Sequence, residues 1–176
     1  MANLFVTRGD ITKTVAVDAI ATLINSGGMW FGGVDGAIQR IAGSWYHAQA
    51  AAMLKTTVLQ DGQVVTARGN RANHNGSFND VIFVIDNLQL LLGDLVYAAL
   101  KEAKQKRYKS IAFPLMRSGV MLGLVEPNVK AVVSQMRLGI ERFLEEGDVE
   151  IDIYIVVHSE MDAIKMLSSS MKLLNP

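Results

Sequence analysis

Residues 17–24 read Val-Asp-Ala-Ile-Ala-Thr-Leu-Ile, apolar almost without a break. A strand with one face in water alternates polar and apolar side chains, so this one demands cover on both faces. Strands of that kind belong to sheets sandwiched between helices, and the rest of the chain must supply helices for two sides. Residues 151–157, Ile-Asp-Ile-Tyr-Ile-Val-Val, read as another buried strand.

Further strands are predicted at residues 4–6, 63–67, 81–85 and 110–113. Ala37, Ile38, Ile41 and Ala42 fall at the spacing of one helical face, and Gly43 ends that helix. Other helices are predicted at 45–54, 88–107, 127–146 and 161–174, with Gly147 closing the fourth and the Gly/Asn-rich residues 69–79 an exposed connection. Strands alternating with helices make an α/β chain, in which ligands bind outside the carboxyl ends of the strands. The loops at 25–36, 114–124 and 158–162 leave such ends. No repeat, linker or low-complexity tract divides residues 1–176, so one domain is expected.

Charge excludes several functions. Lys+Arg and Asp+Glu both number 17, so no global field draws the chain to nucleic acid or to a membrane surface, and an anionic ligand must be held locally. There is no cysteine, which rules out disulfides, thiolate metal sites and a cysteine nucleophile. A reducing cytoplasm suits such a chain, and no stretch approaches the roughly 18 apolar residues of a membrane span.

The loop at 25–36 is glycine-rich and opens a helix, so its backbone N–H groups can cradle a phosphate; ordinary turn geometry explains the same glycines. It matches neither the dinucleotide-binding nor the P-loop pattern. Ser118-Gly119-Val120 follows a strand and Pro114 in the same way, and two such loops on one sheet edge suit a diphosphate.

Taken together, Gly9-Asp10-Ile11-Thr12, Val17-Asp18-Ala19-Ile20, Asn25, Gly32-Gly33-Val34-Asp35-Gly36-Ala37-Ile38 and Ala42-Gly43 resemble the first half of a macro domain. Ala112-Phe113-Pro114 and Ser118-Gly119-Val120 resemble that family's second phosphate loop, and order and spacing agree over nearly the whole chain. The resemblance implies a three-layer α/β sandwich, a mixed central sheet of about six strands with helices on both faces. It implies ADP-ribose or a derivative as ligand, an ADP-ribosylated protein as a further partner, and neither metal nor cofactor.

Residue by residue, the resemblance implies that Asp10 accepts from the adenine amino group, with the Ile11 N–H beside the ring, and that Asn25 contacts the distal ribose. Asp35 matches an aspartate that orients or activates water near the anomeric carbon. By its position alone it is equally a helix N-terminal acid favoured by the dipole. Gly32, Gly33, Val34, Ser118, Gly119, Val120 and Met121 match the phosphate and ribose loops, and His158 a position where an aromatic ring stacks on adenine. Trp30 and Phe31 stand where backbone normally wraps the ribose and are candidate ring contacts.

Other departures matter. Thr22-Leu23-Ile24-Asn25 keeps only the second asparagine of the family's Asn-Ala-Ala-Asn segment, and Arg117 replaces a small polar residue, free to reach a phosphate or to point into solvent. Gln39 and Phe83 take the places of the family's frequent histidines, and His47 and His74 are expected at the surface, leaving no histidine near the ribose. The run with Trp30 also resembles the ADP-ribose 1''-phosphate phosphatases, while Asp35 resembles the ester-cleaving members. The expectation is a hydrolase acting at the distal ribose of an ADP-ribose derivative, with Asn25 and Asp35 as catalytic residues. The alternative is a non-catalytic ADP-ribose-binding module.

Overall fold

A computed structural model describes residues 1–28 and 33–174. Among these, six strands form one sheet: β1 (Asn3–Arg8), β2 (Val17–Ile24), β3 (Val64–Ala67), β4 (Phe78–Ile85), β5 (Ser110–Pro114) and β6 (Asp152–Val157). The strand order is β1-β6-β5-β2-β4-β3. Every neighbouring pair is parallel except β3 with β4, so the sheet is mixed and five carboxyl ends share one edge.

The helices are α1 (Gly33–Ala42), α2 (Trp45–Thr56), α3 (Leu92–Gln105), α4 (Val129–Leu144) and α5 (Met161–Met171). Strand side chains alternate between faces, and the two faces feed two separate cores. Ala19, Ala21 and Leu23 of β2 pack with α3, α4 and α5. Ile20 and Ile24 of the same strand pack with Ile38 of α1 and with Tyr46 and Ala50 of α2. The continuous apolar run of β2 thus does what it requires, each fully buried isoleucine contributing about 2 kcal/mol of transfer free energy. The α3 and α4 backbones touch through two glycines: a Cβ on Gly139 would lie 2.4 Å from the Gly93 carbonyl oxygen.

Three elements begin two or more residues from the predicted start, each where a polar side chain engages backbone N–H groups. β4 starts at Phe78, three residues before Val81, because Asp80 is buried and accepts from the Gly69 N–H at 2.9 Å and from the Tyr108 hydroxyl. α3 starts at Leu92, not Leu88. Leu88 has φ +63, its N–H donates to Asp86, and the Asp61 carboxylate takes the N–H groups of Asn87 and Gln89, so these residues form a turn. α4 starts at Val129 because Asn128 is its N-cap, its side chain accepting from the Ala131 N–H at 2.9 Å. No helix among the described residues is long and apolar enough to cross a membrane.

Candidate functional site

A cleft of about 470 Å³ lies over the shared carboxyl edge of the sheet. Its walls come from the turn after β1 (Gly9–Ile11), from Thr22 and Leu23 of β2, and from the first turn of α1 (Gly33, Val34, Asp35). The loop from Pro114 to Met121 after β5, together with Val156 and His158 at the end of β6, completes it. Its size is that of a small-molecule site, and it lies where a parallel sheet places one.

Gly9 makes the first wall possible. Its φ is +152, and a Cβ there would lie 2.1 Å from the Thr14 hydroxyl oxygen, so the chain turns sharply out of β1. Asp10 then folds back: its Oδ1 accepts from the Thr12 N–H at 2.9 Å and from the Thr12 hydroxyl at 2.7 Å. Burial pushes this carboxyl up. The Thr12 hydrogen bonds and the nearby charges of Lys13 and His158 outweigh it and hold Asp10 below the ordinary carboxylate range. It is therefore an acceptor at neutral pH.

Two sources of backbone donors face each other across the cleft. The first N–H groups of α1 have no partner inside the helix, and the helix dipole adds positive potential there. On the opposite side Gly119 and Val120 are exposed, and among the described residues their N–H groups donate to no protein acceptor. The Ser118 hydroxyl donates to the Leu115 carbonyl at 2.7 Å, bracing the turn. The arrangement suits an extended anion that spans from one loop to the other.

Asp35 lines the same cleft from the first turn of α1 and is only 4% exposed. Its Oδ1 receives the Thr22 hydroxyl at 3.5 Å and lies 3.5 Å from His47 Nε2. His47 is 4% exposed and packs edge-to-face on Phe83, with ring centroids 5.2 Å apart. A carboxylate in this position can accept a proton from a water in the cleft.

The β5–α4 loop carries a second cluster of charge. Arg117 Nε donates to Asp86 Oδ2 at 3.0 Å, and Nη2 donates to Asp86 Oδ1 at 2.7 Å and to the Leu90 carbonyl at 2.9 Å. Nη1 donates to both oxygens of Glu126, at 3.0 and 2.9 Å. Glu126 Oε1 also accepts the N–H of Leu92, so it caps α3. Burial works against the guanidinium charge, but the hydrogen bonds and charges of Asp86 and Glu126 outweigh it and push Arg117 further up.

A Macro domain family model matches residues 22–127 of this chain. The chain belongs to the macro domain family. This macro domain is similar to an O-acetyl-ADP-ribose deacetylase of Escherichia fergusonii, with 35% identity over 133 residues that cover 68% of the chain and 70% of the relative. Its fold is similar to that of the Oceanobacillus iheyensis macrodomain with ADP, at TM-score 0.75 and 25% identity over 95% of this chain and 88% of that one. A point mutant of the same Oceanobacillus iheyensis protein with ADPR gives TM-score 0.78 and 24% identity, over 97% and 92% of the two chains.

Within this macro domain, Asp10, Ile11, Gly33, Val34, Asp35, Ser118, Gly119, Val120, Met121 and His158 all lie around the cleft. Ile11 and Asp35 are buried in its walls, and His158 is exposed at its rim. Asn25 is half-buried at the end of β2 and is not among the residues that line the cleft. Trp30, Phe31 and Gly32 lie outside the described residues.

Two expectations are corrected. Arg117 points neither into solvent nor toward a phosphate: its guanidinium is buried with all three nitrogens engaged by Asp86, Glu126 and the Leu90 carbonyl, leaving no donor for a ligand. The histidines are not surface residues either. His47 is buried against Asp35, and His74 is half-buried with its Nε2 2.9 Å from the Tyr46 hydroxyl. A histidine therefore does stand beside the cleft. The sequence carries a faint signal of this, since His47, Ala50 and Leu54 fall three and four apart on the apolar face of α2. Thr22 and Asp86 also belong to the cleft, and nothing in the sequence alone marks them as site residues.

Proposed function

We propose that residues 1–176 work as one macro domain that binds ADP-ribose and hydrolyses an ester of it at the distal ribose, acting in the cytoplasm. The observation that carries this reading is Asp35: a buried carboxylate in the wall of a cleft that the first turn of α1 and the exposed Gly119 and Val120 also line. The likeness to an O-acetyl-ADP-ribose deacetylase at 35% identity supports an acetyl ester as the substrate.

In this scheme the two sets of backbone donors hold the diphosphate, and Asp10 accepts from the adenine amino group. The distal ribose then lies beside Asp35; Asn25, half-buried at the end of β2, is outside the cleft lining and takes no part in this scheme. Asp35 takes a proton from a water as the water oxygen attacks the acetyl carbonyl carbon. A backbone N–H stabilises the developing oxyanion. The bond between the acetyl carbon and the ribose oxygen breaks, and the leaving ribose oxygen takes back a proton, giving acetate and ADP-ribose.

The test is turnover of O-acetyl-ADP-ribose, with ADP-ribose 1''-phosphate in parallel, by wild type and Asp35→Ala. The acetyl ester is expected to be cleaved faster, and the variant to lose turnover by a factor on the order of 10² to 10⁴. Equal turnover by the variant would remove Asp35 from the mechanism. Tight ADP-ribose binding with no turnover of either compound would make the chain a binding module.

A further inference from the structure

The carboxylate that faces the cleft has a second side, and what stands there is an imidazole. His47 comes from α2, a different helix from Asp35, and does not itself line the cleft. Its Nε2 lies 3.5 Å from Asp35 Oδ1, and both side chains are buried. At that distance the contact is a close approach of imidazole and carboxylate, outside hydrogen-bond geometry.

Two strands of the sheet contribute side chains to this pair. β2 presents the Thr22 hydroxyl to the same Oδ1, and β4 presents the Phe83 ring to the imidazole. Asp80, also on β4, is engaged by Arg68, Tyr108 and the Gly69 N–H. Arg40, on α1, is exposed. A leucine would fill the space beside Phe83 without placing a buried polar ring there, and the His47 contact gives that ring a use.

We propose that His47 is a positioning residue for the hydrolysis: it holds Asp35 Oδ1 from behind, so that the carboxylate keeps a fixed orientation toward the cleft. The pair is not hydrogen-bonded in this structure; catalytic groups often align only when substrate closes the site. Thr22 steadies the same oxygen from the sheet. This inference rests on the reading of Asp35 given above.

The experiment compares wild type, His47→Phe, His47→Gln and Asp35→Ala, measuring kcat and KM on O-acetyl-ADP-ribose, Kd for ADP-ribose, and Tm. Phenylalanine fills the volume without an N–H donor, whereas glutamine keeps one near the position of Nε2. His47→Phe is expected to lower kcat by roughly ten- to hundredfold, the scale of a misplaced catalytic group, with Kd for ADP-ribose changed less than about twofold. His47→Gln is expected to recover most of kcat. Unchanged kcat in His47→Phe, with Asp35→Ala inactive, overturns the role of His47 alone. A fall in kcat matched by equal losses in ADP-ribose affinity and Tm, or no recovery in His47→Gln, makes His47 merely structural and overturns it too. Full turnover in Asp35→Ala overturns the reading of Asp35, and the positioning role falls with it.

Discussion

Two clusters of charge border the cleft, and they are built in opposite ways. Asp86, Arg117 and Glu126 form a closed triad in which the hydrogen bonds run from 2.7 to 3.0 Å and no guanidinium nitrogen is left over. Asp35, Thr22 and His47 form an open cluster whose two polar distances are both 3.5 Å and fall on a single carboxylate oxygen. Both are buried, so burial alone does not say which serves the chemistry. The difference lies in what is left unused. A saturated triad ties the end of β4, the start of α3 and the β5–α4 loop into one unit and offers a ligand nothing but its backbone. A carboxylate approached at only one of its oxygens keeps capacity to accept a proton.

Breaking the triad should therefore damage the fold, and breaking the open cluster should damage turnover. The largest effect is expected from Arg117→Met, which leaves two buried carboxylates without their cation: thermal or urea unfolding should show a loss of about 3–5 kcal/mol. That corresponds to roughly 6–20 °C in Tm for a domain of this size. If the variant unfolded like wild type, the triad would not be the structural tie described here. Asp35→Asn sharpens the contrast from the other side: kcat should fall by a factor on the order of 10² to 10⁴. Its unfolding free energy should shift by about 1 kcal/mol or less, because the Thr22 and His47 interactions that it weakens are long ones.

Glu126→Gln is a smaller probe of the triad, retaining the shape and one carbonyl acceptor for the Leu92 N–H while removing the charge. A loss of about 1–3 kcal/mol in urea unfolding is expected, with ADP-ribose affinity preserved in the folded fraction. The smallest effect concerns Asp10, whose folded pKa lies below the ordinary 3.8. A lowered carboxyl contributes stability that is present above its unfolded pKa and lost as pH falls through the folded one. Asp10→Asn should consequently flatten the acid-side fall in Tm below about pH 4, its Tm lying slightly below that of wild type near neutrality and meeting it in acid.

The same two clusters mark how much the sequence discloses. β2 and the first turn of α1 are legible because the signals are local: a run of apolar residues for one, glycines followed by Val34, Asp35 and Ile38 for the other. Asp10 and the loop at 118–121 are assigned to the site through the resemblance to macro domains, whose motifs recur here in the same order. The triad is not legible. Asp86 and Arg117 are 31 positions apart, and each alone has the character of an ordinary surface charge; only the path of β4 and β5 brings them together. His47 escapes a sequence reading for a related reason. Imidazole is polar enough to sit outside and aromatic enough to sit inside, and the deciding partners, Asp35 and Phe83, lie on other elements. The late starts of α3 and α4 belong here as well, since Glu126 caps a helix 34 positions away and Asn128 ends a helical pattern that runs through it.

The central claim is that the cleft between α1 and the loop at 118–121 is an ADP-ribose site whose chemistry depends on Asp35. The most direct test is calorimetric titration with ADP-ribose of wild type and Asp35→Ala, using AMP, ADP and NAD as controls. Micromolar affinity for ADP-ribose is expected in both proteins, on the order of −8 kcal/mol, with much weaker binding of the controls. No heat of binding with ADP-ribose, or equal affinity for AMP and ADP-ribose, would contradict it.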